Sequence, residues 1–197
     1  MKVLAYTSPA RGHLYPLVPI LDELAHRGHT IAIRTLASQV PLMQERRFAA
    51  APIARAIEEI EHDDYLARSP VGKMKRGMAK FGLRAEHEVA DMRAAIEAER
   101  PDAILVDAMT WGATAIAEAW GGPWAQWFPY PLPLSSTDVP PFGPGLKPPA
   151  GPLDRLRDRA LRPLLSRSVQ RACFPRLNAV RASVGVQPFA DIDEMYT

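Results

Sequence analysis

The sequence predicts an α/β fold in which a doubly wound, Rossmann-like parallel sheet is flanked by helices. The chain begins with an apolar run, an amphipathic segment and a second, β-branched run within about 35 residues, which is the pattern of a βαβ unit. The same alternation returns between Pro101 and Pro129, where a buried run, an alanine-rich segment and another apolar run follow one another. Repeated alternation of this kind is typical of parallel sheets covered by helices.

The first elements follow from hydrophobic spacing and from turn residues. The run "KVLAY" at 2–6 predicts a buried strand. Leucine and isoleucine then recur at helical spacing up to residue 24; Pro16 suits a first helical turn and Gly28 predicts the end of the helix. The alternating run "TIAIRTL" predicts the second strand, and residues 38–48 predict a short helix.

The middle of the chain contains the longest helical pattern. It predicts a helix from about Val71 to Arg100, with Gly77 and Gly82 as candidate breaks. After it, "DAILVDAM" predicts a buried strand, "TWGATAIAEAWG" a helix and "PWAQWFP" another strand. Residues 50–66 have no clear periodicity, and the acidic run within them is typical of a solvated face.

The composition changes after the last predicted strand. Residues 129–152 hold nine of the 20 prolines, which predicts a long irregular loop. Beyond this loop, the pattern predicts two amphipathic helices broken near Pro175. The arginine-rich stretch 154–171 is more typical of a solvated face than of a binding surface, with contact to another domain as the alternative.

Composition and charge exclude several classes of function. The 197 residues carry 24 basic and 22 acidic side chains, so the net charge of +2 gives no sign of a nucleic-acid partner. Apolar runs are far shorter than a membrane span, and the first residues lack the apolar length of a signal peptide. The single Cys173 excludes an internal disulfide and is typical of a reducing cytosol. We therefore expect a cytoplasmic protein with no membrane partner.

Two titratable residues are predicted to lie at one edge of the sheet. His13 follows the first strand and Asp107 ends a later one, and such folds bind ligands where parallel strands end. The turn before His13 has a single glycine, Gly12, which we expect to allow a tight turn but not to cradle a phosphate. An imidazole there suits a general base, and a carboxylate could orient it. Packing of His13 and helix capping by Asp107 are the alternatives.

Four segments in order resemble one family. "RGHLYPLVPILDELAHRGHTI" resembles the N-terminal signature of GT-B, UDP-glycosyltransferase-like enzymes of antibiotic, macrolide, enediyne and plant natural products. "PDAILVDAMTWGATAIAEAWGGPWAQWFPYP" resembles the second landmark of the family. "VPPFGPGLKPP" and "FPRLNAVRASVGVQP" resemble later parts of the N-terminal half of bacterial, actinomycete-type members. The resemblance covers residues 1–190 and implies one half of a GT-B fold.

The resemblance implies a mechanism. In this family the histidine of the first motif, which corresponds to His13, deprotonates the acceptor hydroxyl, and the aspartate that corresponds to Asp107 pairs with it. The acceptor oxygen then attacks the anomeric carbon of a nucleotide sugar and inverts it. We therefore expect hexosyl transfer to a hydrophobic natural product, with a nucleotide-diphosphate sugar as co-substrate and with no cofactor and no metal ion.

The resemblance also implies a second domain. The family binds its donor mainly on a C-terminal domain with a His/Gly-rich diphosphate motif, and this sequence contains no such motif. We expect residues 1–190 to form the acceptor-binding domain, 191–197 to begin a linker to the donor-binding domain, and this chain alone to be inactive. A non-catalytic module, which binds a ligand or a partner as one part of a split or degenerate transferase, is the alternative.

An apolar acceptor pocket is predicted beside the candidate pair. Met74, Met78 and Phe81 recur at helical spacing, and flexible methionine side chains adapt to bulky ligands. Ordinary core packing is the alternative for these three residues. The proline-rich loop is a candidate lid over the pocket. The other predicted acceptor-binding residues are Gly12, Trp111, Phe128, Tyr130 and Phe142.

Overall fold

The computed structural model describes residues 1–132, 134, 136–141 and 144–196. Its centre is a sheet of five parallel strands. The strands are β1 (Lys2–Tyr6), β2 (Thr30–Thr35), β3 (Ala49–Pro52), β4 (Ala103–Asp107) and β5 (Trp124–Trp127). The helices are α1 (Arg11–His26), α2 (Val40–Glu45), α3 (Arg55–Glu58), α4 (Pro70–Glu99), α5 (Trp111–Trp120) and α6 (Pro152–Ser183).

The strand order β3-β2-β1-β4-β5 places the start and the middle of the chain side by side. Strands β1 and β4 pair in register, with Tyr6 opposite Val106. The chain winds outward from this pair in both directions, so the carboxyl ends of β1 and β4 meet at a topological switch point. The predicted doubly wound parallel sheet is confirmed.

Each face of the sheet supports its own hydrophobic core, because successive strand residues point to opposite faces. On one face Leu4 and Tyr6 pack with residues of α4 and α5, including Met92 and Ile116. On the other face Val3 and Ala5 pack against α1 and α2. A fully buried α1 leucine such as Leu17 contributes roughly 1.5–3 kcal/mol through this burial.

Local signals set the ends of the two helices that flank the site. The Ser69 side chain accepts a hydrogen bond from the Gly72 N–H at the start of α4 (3.1 Å). Helix α4 ends at Arg100, which has left-handed backbone angles, and Pro101 follows it. Helix α5 ends at Gly121, whose φ of +75° favours glycine.

Two predictions about helix breaks are wrong. Helix α6 is continuous through Pro163 and Pro175, where two helices were expected. Pro175 is exposed, so water can bond the carbonyl that the proline leaves unpaired, while Cys173 and Leu177 hold the apolar face of α6 in a buried cluster. Helix α4 likewise runs without a break through both of its candidate glycines.

The structure differs from the sequence-based predictions at two further positions, where the local sequence pattern is weak. The strand β3 was not predicted, because its sequence "AAAP" has neither β-branched nor aromatic residues. Pro16 lies inside α1 and not in its first turn. Within residues 129–151 the described positions contain no helix or strand, as the proline content predicts. None of the helices that the structure describes is both long and apolar enough to cross a membrane.

Helices α4 and α5 touch at backbone level. A Cβ atom placed on Gly112 of α5 would lie 2.0 Å from the Ala85 carbonyl oxygen and 2.9 Å from the Glu88 Cβ. Both neighbours are buried, and one of them is backbone, so neither can move aside at low cost. The start of α5 therefore has a fixed position relative to α4.

Gly112→Ala is expected to lower the free energy of unfolding by about 1–3 kcal/mol or more, because it overpacks this contact. The matched control is Gly77→Ala on α4, where an added Cβ meets no atom within 4 Å. The control should gain roughly 0.5–1 kcal/mol of helix propensity. Urea unfolding monitored by circular dichroism measures both values, and equal stabilities of the two variants would contradict the close contact.

Candidate functional site

His13 and Asp107 lie side by side where β1 and β4 end, although they are 94 residues apart in the sequence. The His13 Nδ1 lies 2.9 Å from Asp107 Oδ2 and 3.0 Å from Oδ1. His13 belongs to the first turn of α1, and Asp107 is the last residue of β4. Because β1 and β4 are neighbours in the sheet, the two residues meet at its switch point.

The Asp107 carboxylate is fully buried and held by other donors. Its Oδ2 accepts hydrogen bonds from the Ser8 N–H (3.0 Å) and the Ser8 hydroxyl (2.7 Å). Its Oδ1 accepts one from the Met109 N–H (2.9 Å). The N-cap of α5 is Thr110, so Asp107 does not have the capping role that was its alternative. These contacts fix the carboxylate that faces His13.

This arrangement selects one tautomer of His13. A carboxylate accepts hydrogen bonds, so the imidazole nitrogen that faces it must carry the proton. The neutral ring therefore has its N–H at Nδ1 and its lone pair at Nε2. The His13 side chain is 22% exposed, whereas Asp107 is sealed from solvent. The geometry thus leaves a basic Nε2 on a partly exposed side chain, backed by a buried carboxylate.

Aromatic residues at and after the end of β5 lie near the same histidine. Trp127 Nε1 donates a hydrogen bond to the His13 carbonyl oxygen (3.1 Å). The Tyr130 ring lies edge-on to the imidazole, with 6.2 Å between centroids, and Phe128 lies 6.1 Å from Tyr130. The predicted Phe128 and Tyr130 are thus near His13, one directly and one through its neighbour.

Sequence reasoning missed Ser8 and Trp127. Both follow a simple positional signal, because Ser8 comes just after β1 and Trp127 is the last residue of β5. Polar atoms at the carboxyl ends of adjacent parallel strands are candidates for one site.

The expected reason for Gly12 is wrong. Gly12 lies within the first turn of α1, has no positive φ, and an added Cβ would meet no atom within 4 Å. The turn therefore does not require a glycine. The space next to its Cα is open, one residue before His13.

Three of the predicted apolar residues lie in an interhelical core. Met78, Phe81 and Trp111 belong to a cluster with α6 residues between α4, α5 and α6. The Phe81 and Trp111 rings are 5.5 Å apart, and Trp111 is 4% exposed. The structure therefore places these three residues in core packing, which was the alternative role for Met78 and Phe81. Met74 is half-buried on α4 outside this cluster, and Phe142 lies outside the described residues.

A cleft of about 470 Å³ lies beside β5. Phe128, Phe189 and Tyr196 contribute aromatic walls, and Arg181 forms an ion pair with Glu118 (2.8 Å) in the lining. His13 is not among the lining residues. Phe128 connects the cleft to the histidine through Tyr130, so the cleft adjoins the pair without including it.

Two curated proteins of actinomycete bacteria have similar sequences. The chain is 28% identical to the 4'-demethylrebeccamycin synthase of Lentzea aerocolonigenes, over 94% of this chain and 46% of that protein. It is 29% identical to the L-demethylnoviosyl transferase of Streptomyces niveus, over 64% of this chain and 34% of that protein. The chain resembles bacterial antibiotic glycosyltransferases. It spans less than half the length of these relatives, and no family model matches it.

Solved glycosyltransferase structures share the fold. The Streptomyces sp. SF2575 glycosyltransferase SsfS6 matches 97% of this chain with a TM-score of 0.61 at 18% identity. The spinosyn rhamnosyltransferase SpnG matches 95% of it with a TM-score of 0.62 at 16% identity. The match takes in 48% and 42% of those two chains, respectively. The expected half of a GT-B glycosyltransferase fold is therefore confirmed.

This glycosyltransferase-like chain has a second buried carboxyl group near the site. Glu88 of α4 is fully buried, and its Oε2 accepts a hydrogen bond from the Gly112 N–H (2.8 Å). Burial raises the pKa of Glu88 to about 8, and the Asp107 charge acts in the same direction. The Arg84 charge and the hydrogen bonds from α5 oppose this increase.

The raised pKa of Glu88 predicts a pH-dependent stability. Between pH 5 and pH 8 the folded chain keeps a proton that the unfolded chain loses, so this group lowers stability as the pH rises. Glu88→Gln removes the titration but keeps an acceptor for Gly112. As the pH rises from 5 to 8, the free energy of unfolding of the variant should therefore fall less than that of the wild type. The difference between the two falls should reach up to roughly 4 kcal/mol.

Urea unfolding at several pH values between 5 and 8 measures this difference. The exposed Glu97→Gln, on the same helix, is the control and should follow the wild-type pH dependence. Parallel stability curves for the wild type and Glu88→Gln would show that Glu88 is ionised throughout the interval.

Proposed function

We propose that the chain is the acceptor-binding half of an inverting glycosyltransferase that acts on a hydrophobic natural product. The observation that carries this proposal is the contact of His13 Nδ1 with the buried Asp107 carboxylate (2.9 Å) at the switch point of the sheet. The similarity of the chain to antibiotic glycosyltransferases supports the choice of reaction.

In the proposed reaction, His13 is the general base. Its Nε2 takes the proton of an acceptor hydroxyl while the acceptor oxygen forms a bond to the anomeric carbon of the donor sugar. The bond from that carbon to the nucleoside diphosphate breaks, its electron pair leaves with the diphosphate, and the configuration inverts. Asp107 stabilises the resulting imidazolium from the Nδ1 side. Base catalysis of this kind typically contributes 10²–10⁴-fold in rate.

The surroundings of His13 support an apolar acceptor. Tyr130 lies edge-on to the imidazole and Phe128 lies edge-on to Tyr130, and aromatic side chains with a few polar groups are typical of small-molecule sites. In this proposal Gly12 contributes to the acceptor side of the site, because no atom lies within 4 Å of a Cβ placed on it.

The donor would bind mainly on a second domain. The SpnG rhamnosyltransferase and the VinC glycosyltransferase have structures in complex with thymidine diphosphate, and this chain matches less than half of each. We propose a nucleotide-diphosphate sugar as the co-substrate, with residues 191–197 leading to the donor-binding domain. The chain alone would then bind an acceptor without turning it over.

Calorimetry on the 197-residue chain tests the assignment of halves. A polyphenol or macrolide aglycone should bind, whereas a thymidine- or uridine-diphosphate sugar should bind at least roughly 100-fold more weakly, because its site would lie elsewhere. Tyr130→Ala should weaken aglycone binding, and the control Tyr65→Ala, which changes a 72% exposed tyrosine, should not. Tight nucleotide-sugar binding without aglycone binding would contradict the proposal.

A second experiment tests the base in a complete transferase that carries this chain. His13→Ala should lower kcat by about 10²–10⁴-fold and leave the donor KM nearly unchanged, because only proton transfer is lost. The control is His26→Ala, which changes an exposed histidine in the last turn of the same helix. A wild-type kcat in His13→Ala would return His13 to a packing role.

A further inference from the structure

Glu88 is a buried acid that the proposed reaction does not use. It is fully buried on α4, and its Oε2 bonds the Gly112 N–H at 2.8 Å. Its Oε1 has no hydrogen-bond partner among the described residues. A buried carboxyl oxygen without a partner is costly, so its retention in a packed interface calls for a physical role.

The contact with Gly112 places the Glu88 carboxyl group beside the first turn of α5. Gly112 is the second residue of this helix, where the backbone N–H groups have no partner within the helix. Thr110, the N-cap residue, makes no capping bond with its side chain, so Glu88 supplies an acceptor that the local sequence lacks. Its position at the positive end of the helix dipole favours the interaction.

The start of α5 is bonded to Asp107. Thr110 donates two hydrogen bonds to the Asp107 carbonyl oxygen, from its N–H (2.9 Å) and from its hydroxyl (2.6 Å). The Thr114 N–H in turn donates to the Thr110 carbonyl (2.8 Å). A continuous set of short contacts therefore leads from Glu88 through the first turn of α5 to the residue that faces His13.

The titratable groups around Glu88 lie on its own helix, α4, and at the ends of β1 and β4. Arg84 faces it from α4, Tyr6 from the end of β1 and Asp107 from the end of β4. The peptide N–H groups of α5 face it from the fourth side. Because Coulomb interactions are reciprocal, a change of charge on Glu88 also changes the electrostatic potential at Asp107.

We propose that Glu88 is a positioning residue for the His13–Asp107 pair: its carboxyl group holds the first turn of α5, and its protonation state sets the charge beside the Asp107 carboxylate. The catalytic meaning of this link rests on the proposed function of His13. The physical link itself does not, because it is made of contacts within this chain.

Nuclear magnetic resonance of the 197-residue chain tests the link through the ring nitrogens of His13. In the wild type, their chemical shifts should show an inflection near pH 8, where Glu88 loses its proton. Glu88→Gln should abolish this inflection, because the amide does not titrate. The control Glu97→Gln, an exposed position on the same helix, should keep it.

Hydrogen exchange of the Gly112 amide tests the structural part. Glu88→Leu removes the acceptor and should accelerate this exchange roughly tenfold or more, whereas Glu88→Gln keeps an acceptor and should stay close to the wild type. If Glu88→Leu does not fold, the His13 titration in Glu88→Gln decides alone.

The proposal is overturned if the His13 signals of Glu88→Gln follow the wild type through pH 8. It is also overturned if Gly112 exchanges equally slowly in Glu88→Leu and the wild type. If these signals respond as expected while His13→Ala leaves kcat unchanged in a complete transferase, the link holds and the proposed function fails.

Discussion

The rest of the site depends on the hydrogen bonds that the buried Asp107 carboxylate accepts. It is fully buried, and a buried charge must be matched by hydrogen bonds because removing one partner of such a group costs about 3–5 kcal/mol. Its donors are Ser8, Met109 and His13, which come from the segments after β1 and β4 and from the first turn of α1. One carboxylate therefore joins the two halves of the sheet at their meeting point.

The fold explains why this site needs few residues. Parallel pairing of β1 with β4 brings two distant turns to the same edge, and the immediate start of α1 after β1 carries His13 to the surface. Asp107 is held from the β1 side by Ser8 and from the α5 side by Thr110. Close packing of α4 on α5 then fixes α5, so that the geometry of a surface histidine is set by buried contacts.

The elements of this arrangement that have a local sequence pattern could be predicted from the sequence. Strands β1, β2, β4 and β5 are apolar runs bounded by turns, and parallel pairing follows from their alternation with helices, which brings His13 and Asp107 to one edge. Strand β3 and the unbroken α6 depend on tertiary packing that overrides weak propensity or proline. Met78 and Phe81 pack against α6, which is about 90 residues away in the sequence, and helical spacing cannot predict such a contact. The burial of Glu88 and its bond to Gly112 could not be predicted either, because a single glutamate on a helix has no neighbouring pattern that marks it.

The tautomer of His13 is the most direct test of the account, because the proposed base requires a free lone pair at Nε2. Nitrogen-15 spectra of the imidazole, recorded at a pH at which the ring is neutral, distinguish the two forms. The contact with Asp107 predicts that the proton is on Nδ1 and that Asp107→Asn disturbs this preference. A ring protonated on Nε2 in the wild type, with Nδ1 free, would contradict the account, because the nitrogen that does not face Asp107 could not then accept a proton.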